Sequence, residues 1–569
     1  MKKKAVNDNY DALIIGAGIS GLYAAIKLHD NLTTKRNKAN IAIITKVHPL
    51  RSNSIIDSNG INAVLNPKDN LKFFQYDTIK AGDFLSDQDK VDELTKASKN
   101  IVEDLEKMGL IFYKNKENKI DQRPYGGKAF LTQKDYSGAT FPRICYTSDH
   151  TGKDILYFLY GEALRRNIEI KELYALDLVT NEGQCVGVTT YDIKHGEIKT
   201  FHSYATILAT GGIGAMYKNT TNSQINTADG IMMAHRAGAD LMDIEFVSFH
   251  PTTLINSNLE VDSGFRGEGA VLLNRRNERF MAKYSRKRME EASDIIIARA
   301  IQNEIDHKRG IDEENYVYLD LSTMQTKLVN NLVKKIVPED KKLKVHPAQD
   351  LFLGGIKTDI NGRTSVKGLY AVGECACSGV HGAYYLEGNG ILEALFASQK
   401  ASENILDFIR DSDNIKSMPD EDYGNKFRNY INSFVDNSQG TSWGKIKNQL
   451  KEIMTKSVSI FKEKKELEKA LKDVRLLKTH FNKVSMKDKS KIYNTELIEI
   501  LQLKNMLSLA ELMIISSIVR DESRGSHFRK EHSERRDIKF LKHLVVHPDK
   551  KLELKDISLG NIRPEKMRY

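Results

Sequence analysis

The sequence has little cysteine, proline or tryptophan: 4 Cys, 10 Pro and 1 Trp in 569 residues. Four cysteines over that length exclude a disulfide-stapled scaffold. Cys375 and Cys377 form a C-x-C pair, but no second pair supplies the other ligands of a metal or cluster site. They read as buried structural thiols. There is no low-complexity tract, Pro-rich linker or internal repeat. No stretch approaches the roughly 18 apolar residues of a membrane span. The basic start, Met1-Lys-Lys-Lys, runs directly into strand-like sequence without an apolar region or cleavage site, so no signal peptide is expected. Charge of a single sign is also missing. Lys plus Arg number 86 against 76 Asp plus Glu, a net charge of +10, and the lysines are interleaved with acids, as in Lys462-Glu-Lys-Lys-Glu-Leu-Glu-Lys. That pattern is a solvated helix face carrying i,i+4 pairs, not a nucleic-acid surface.

What remains is the composition of a folded, water-facing protein. The chain is 40% hydrophobic, with 23 Tyr and 21 Phe, too apolar for disorder and long enough for two to four domains. Residues 10–16 read as a buried strand and 21–29 as the start of a helix, joined by Gly16-Ala-Gly18-Ile-Ser-Gly21; Ile41–Thr45 is the next strand. G-x-G-x-x-G inside a β-α-β unit lets the backbone approach a pyrophosphate, which the helix N-terminus then receives. The acid that would hold an NAD ribose at the end of the second strand is absent, since Thr45-Lys46 stands there, and a flavin site is favoured. Further strands are expected at 205–212 and 368–374, mixed short elements at 246–350, and helices at 449–461, 465–480 and 495–519.

These motifs, with Arg51-Ser-Asn-Ser, Gly60-Ile-Asn-Ala-Val, Arg123-Pro-Tyr-Gly-Gly, Ala209-Thr-Gly-Gly, Thr227-Ala-Asp-Gly, Phe249-His-Pro-Thr, Phe265-Arg-Gly-Glu-Gly, Gly373-Glu-Cys-Ala-Cys, Val380-His-Gly-Ala and Glu522-Ser-Arg-Gly-Ser-His, fall in one family's order across nearly the whole chain. The sequence resembles the flavoprotein subunit of succinate dehydrogenase and fumarate reductase (complex II), with L-aspartate oxidase as the near relative. The resemblance implies an α/β fold: a Rossmann-like FAD-binding domain (1–245 and 351–410), an inserted α+β capping domain (246–350), a C-terminal helical domain (411–520) and an extension (521–569). It implies FAD lying along Gly16, Gly18 and Gly21, with Lys46, Ser52, Asn53, Gly60, Asp229, Glu374 and Asn389 among its contacts. Asp229 equally suits an N-cap for the helix that follows.

Family chemistry exchanges a hydride between flavin and a carbon of a C4 dicarboxylate while a protein group moves a proton at the neighbouring carbon. His250 matches the substrate-binding histidine and Arg266 the arginine proton shuttle. The rest of the site departs from the pattern. Tyr385 replaces the arginine that clamps a substrate carboxylate, Asp350 replaces a histidine, and Asp262-Ser263 replaces a Thr-Glu pair. Asn53 stands where a histidine often carries the covalent flavin bond, followed by Ser58-Asn-Gly for Gln-Gly-Gly. Losing one partner of a buried Arg–carboxylate pair costs about 2–5 kcal/mol, and added acids oppose a dianion. FAD held non-covalently is therefore expected, with a substrate other than a compact dicarboxylate unless the clamp is rebuilt elsewhere.

By this resemblance the chain is an FAD-dependent oxidoreductase that passes electrons to an iron–sulfur subunit. It would be cytoplasmic, or peripheral on the inner face of the plasma membrane through an anchor subunit, with no metal site of its own. A stand-alone oxidase like L-aspartate oxidase and a catalytically impaired structural paralogue are the alternatives.

Overall fold

The apolar run at the start of the chain is the middle of a seven-stranded sheet. The computed structural model describes residues 9–56, 60–123, 139–311, 315–324, 338, 340–411, 416–419, 422–437 and 440–565. Strand β1 (Asn9–Ile15) is buried on both faces, as its near-continuous Ala-Leu-Ile-Ile requires. It pairs in parallel with β2 (Ile41–Thr45), Ala12 opposite Ile41, and with the strand Glu197–Leu208, Ala12 opposite Ala205. The sheet continues to Glu169–Glu172 beyond β2 and, on the other side, through the antiparallel strands Gln184–Asp192 and Tyr174–Asn181. The last turn of Glu197–Leu208 also pairs in parallel with Leu369–Ala371. A segment more than 150 residues downstream is thereby returned to the carboxyl edge, where open α/β sheets bind ligands.

Helix α1 runs Ile19–Arg36, longer than the apolar pattern indicates, because Leu28 and Leu32 continue its buried stripe and Asn37, at φ 58°, ends it in the left-handed region. Helix Asn389–Phe408 packs along it: Ser398 and Ser402 donate hydroxyl hydrogen bonds to the Ser20 and Ala24 carbonyls, a close approach that small residues permit.

Between these halves lies a four-stranded antiparallel sheet, ordered Val247–Leu254, Lys342–Phe352, Val317–Asp320, Val271–Leu273, backed by the helix Asp294–Asp306. It has its own apolar core around Leu272, Ile301 and Val345. The expected mixed short elements are this layer.

Helices Trp443–Ser457, Lys464–Phe481 and Thr495–Val519 form the C-terminal bundle. The last is apolar nearly all round and accordingly buried for most of its length, with Asn494 accepting from the Leu497 N–H as its N-cap. The first ends earlier than the sequence indicates, because Phe461–Lys462 forms a short parallel strand with Phe528–Arg529. After the bundle, Lys542–Val546 pairs antiparallel with Leu241–Met242 and with Leu552–Asp556, tying the tail to the segment before the capping sheet. Among the described residues no helix is long and apolar enough to cross a membrane. All four cysteines are buried and unpaired.

Candidate functional site

The G-x-G-x-x-G turn shows why each glycine is there. Gly16 sits at φ +112°, and a Cβ on it would lie 2.1 Å from the Ala209 carbonyl oxygen. A Cβ on Gly21 would lie 2.0 Å from the Gly16 oxygen, so the turn and helix could not close. Gly18 occupies the N-cap position of α1, which has neither a side-chain cap nor an acid in its first turn. With only the Ser54 hydroxyl, 3.3 Å from the Ile19 N–H, as a side-chain partner, this helix end is a ready phosphate site. The Ser52 and Thr210 hydroxyls, both lining the cleft above this turn, are buried and without a hydrogen-bond partner. Orphaned donors beside an uncapped helix fit a bound pyrophosphate and its attached sugar chain.

From there the cleft runs along the carboxyl edge of the sheet. Lys46, just past β2, donates to Thr227 Oγ1 and Asp229 Oδ2, each at 2.7 Å. Asp229 Oδ1 also accepts from Asn505 Nδ2 at 2.8 Å. Ala228, at φ 62°, holds the N-cap position, so Asp229 is the first residue of its helix and not the cap. Glu374 is enclosed at the end of Leu369–Ala371 and accepts from the Phe352 N–H at 3.1 Å. A Cβ on Gly212 would fall 2.2 Å from its Oε1, so only glycine admits the carboxyl there. Burial pushes Glu374 up to about 8, with Asp350 adding to the rise, so it stands protonated at neutral pH and can donate. Gly60, at φ +149°, lines the same wall.

The far end of the cleft is built by the capping sheet. His250, on Val247–Leu254, is 5% exposed, and neither ring nitrogen makes a hydrogen bond. Its Nε2 stands 3.3 Å from Glu260 Oε1. Burial, and then the Arg266 guanidinium behind it, hold its pKa well below the usual histidine value, so the imidazole is neutral. Asp350, on the neighbouring strand, accepts from Thr221 Oγ1 at 2.9 Å and from the Tyr385 hydroxyl at 3.4 Å. Glu387 completes this end, and burial with Asp294, Asp350 and Glu260 nearby raises its carboxyl well above the usual range. One continuous cleft thus joins the uncapped helix to His250.

A family model for an FAD binding domain matches residues 11–391, and one described as the fumarate reductase flavoprotein C-terminal region matches 447–569. The chain belongs to the succinate dehydrogenase and fumarate reductase flavoprotein family. It is 30% identical over 591 residues to the succinate dehydrogenase flavoprotein subunit of Rickettsia conorii, covering 98% of this chain and 97% of that one. It is 32% identical over 563 residues to the mitochondrial subunit of Oryza sativa, covering 95% and 88%. An E. coli quinol fumarate reductase structure superposes with a TM-score of 0.89 at 28% identity, covering 98% of both chains. The protein is accordingly an FAD-dependent oxidoreductase.

Against that family pattern the structure sorts the expected residues. It brings His250, Asp350 and Tyr385 together in one wall and keeps Lys46, Ser52, Asn53, Gly60, Asp229 and Glu374 along the cleft. Asp262 is corrected. Its carboxylate is exposed and accepts from the Gly264 N–H at 2.6 Å, capping a surface turn away from the cleft. Arg266 lies behind the wall with its guanidinium fully buried, donating to Thr252 Oγ1 at 2.6 Å and paired with Asp294. Asn389 is spent inside the fold, accepting from Asn62 Nδ2 and donating to Thr78 Oγ1, so it shapes the helix start beside the cleft. Gly21 acts through packing alone. Ser58 and the segment Pro-Tyr-Gly-Gly after Arg123 lie outside the described residues.

Sequence reasoning missed Glu260, Glu387 and Thr221. A signal for Glu387 existed: Tyr384-Tyr385-Leu-Glu carries a carboxylate where the family motif has glycine. Glu260 had none, because only the isolated bridge from Thr253 to Glu260 folds it back beside His250.

Proposed function

We propose that the protein exchanges a hydride between FAD and a CH–CH unit of a small carboxylate-type substrate and passes the electrons to an iron–sulfur subunit. The observation that carries this reading is the single cleft running from the uncapped α1 N-terminus to His250 on the capping sheet. When bound, FAD supplies the two-electron centre. The backbone N–H groups after Gly18 would hold its pyrophosphate, and protonated Glu374 would donate to a polar group of the cofactor. His250, neutral and lining the cleft with its Nε2 3.3 Å from Glu260 Oε1, would bind the substrate. Arg266 is the proposed source of the proton, reaching the cleft through its neighbour His250. Peripheral membrane attachment would come through the iron–sulfur partner and an anchor subunit. The test is anaerobic flavin absorbance with succinate, fumarate, L-aspartate and non-dicarboxylate enoates. Bleaching or recovery of the oxidised flavin band by at least one of them is expected, and failure with all refutes the activity. Co-purification of an iron–sulfur protein checks the partner.

Two expectations attach to this site. Asn53 Oδ1 accepts from the Ser223 N–H at 2.7 Å. His48, the imidazole that precedes this loop, is turned aside, with its ring edge-on to Tyr160. Acid precipitation is therefore expected to release all the flavin into the supernatant; yellow colour retained on the polypeptide would show a covalent link. The second concerns the clamp. Because Tyr385 and Asp350 touch, Tyr385→Arg and Asp350→His are expected to raise succinate affinity by more together than the sum of their separate effects. Isothermal titration of the three variants measures the coupling.

A further inference from the structure

Each turnover by hydride transfer leaves the protein one proton out of balance. A hydride moves between the flavin and one carbon while a proton moves between the protein and the next, and that proton must be exchanged with water before the next cycle. Arg266 is badly placed for the exchange. Its guanidinium is fully buried behind the cleft wall and is spent on Thr252 and Asp294. Two residues of the loop between His250 and Arg266 cannot help it. Asp262 is turned outward to the Gly264 N–H, and Ser263 is buried and carries no titratable group. Glu260, from the same loop, is placed differently. Its Oε1 stands 3.3 Å from His250 Nε2, and its side chain is 23% exposed against 4% for the imidazole. Both residues line the cleft. One carboxylate therefore touches water on one side and the buried histidine on the other. A tight hairpin puts it there, closed by the Thr253–Glu260 bridge and turned by Asn256 and Asn258 at φ 67° and 54°.

We propose that Glu260 is the residue through which the active-site proton is exchanged with water, acting through His250. This deepens the hydride-transfer reading and rests on it. When an alkene is reduced, Arg266 and His250 give up the proton that its second carbon receives. The deficit is made good across the existing contact: the Glu260 O–H bond breaks as an N–H bond forms at His250 Nε2, and Glu260 takes its next proton from water. Oxidation of the saturated form runs the same sequence backwards and releases the proton. The step needs no open acceptor site on Glu260, which has a further partner of its own. A separation of 3.3 Å is slightly long for proton transfer, as such contacts often are before substrate closes the site. The charges acting on the exchange are Arg266 with Asp294 behind the histidine, and Asp350 and Glu387 along the cleft with the Tyr385 phenol. Glu260 is thus a positioning residue for the proton, separate from the groups that hold the substrate.

The test compares the FAD-loaded wild type with Glu260→Gln and Glu260→Asp. Flavin absorbance is followed anaerobically with whichever of succinate, fumarate, L-aspartate and crotonate the wild type turns over fastest. Glu260→Gln is expected to be slower by about tenfold or more, with its FAD content unchanged. Its rate is further expected to climb with imidazole buffer concentration at fixed pH and ionic strength, because a diffusing acid takes over the exchange. The wild-type rate should ignore the buffer. Glu260→Asp keeps the carboxyl group on a shorter stem and should fall between the two. A Glu260→Gln rate within about twofold of wild type overturns the proposal. So does a slow Glu260→Gln that imidazole does not accelerate, since a lost structural contact is not restored by buffer. Failure of the hydride-transfer reading looks different: the wild type itself would then turn over no member of the panel, and the relay would fall with it.

Discussion

Arg266→Gln is expected to lower turnover by 10²–10⁴-fold, the range for loss of a general acid, while the purified protein keeps its FAD. The guanidinium is fully buried, paired with Asp294 and hydrogen-bonded to Thr252, one strand turn from His250. Two effects follow from removing it. The proposed proton source is lost, and His250 loses the positive neighbour that helps keep it neutral. Arg266→Lys separates charge from shape: an ammonium keeps the charge but cannot span Thr252 and Asp294 as a planar fork does. A severe defect in both variants is expected, with the pH optimum of Arg266→Gln displaced upward because His250 protonates more readily. Steady-state rates across pH, alongside flavin content, measure this. More than a tenth of the wild-type rate in either variant would place the proton elsewhere.

Arg520→Leu is expected to destabilise the fold by about 3–5 kcal/mol, the cost of removing one partner from a buried ion pair. Its side chain is fully buried among Glu245, Asp243 and Glu522 and also donates to the Phe540 and Lys542 carbonyls. Those acids would be left facing each other at the junction where the tail strand joins Leu241–Met242. His543 gives the same junction a pH dependence. Burial alone would lower its pKa, but Asp243 at 2.5 Å and Asp87 at 3.4 Å outweigh burial and raise it to about 9. A histidine raised in the folded state from 6.5 stabilises fully below pH 6.5, and that contribution fades as pH climbs through 9. The loss across that window is on the order of 3 kcal/mol. Denaturant midpoints should therefore fall between pH 6.5 and 9, and His543→Gln should flatten that part of the curve. A midpoint for Arg520→Leu within experimental error of wild type would show that the cluster adds nothing to stability.

The parallel core of the sheet and its glycine turn were legible because they rest on local chemistry. Buried parallel strands must be apolar, and close backbone approach must use glycine, so β1, β2 and Gly16, Gly18 and Gly21 announce themselves. The helix Thr495–Val519 was legible for a related reason, since its apolar run is bounded by Asn494 and a charged segment. His250, Tyr385 and Asp350 could be named because they sit inside recognisable motifs.

What the sequence could not supply was direction. Asp262 stands four residues before Arg266 in a motif that places it near the substrate, yet a surface turn claims its carboxylate through the Gly264 N–H. Glu260, two residues earlier and outside any motif, is the acid that reaches His250. The choice between them was made by a bridge to Thr253 and by the packing of one capping strand. Asn389 likewise follows a cleft-lining glycine but turns inward to Asn62 and Thr78. Sequence by itself determined the family, the cofactor and the order of elements, because these depend on residues whose role is fixed by their immediate neighbours. The acidic character of the substrate wall was decided only in three dimensions. Glu260, Asp350 and Glu387 come from separate segments, and their mutual field exists only once the sheet and cap are assembled.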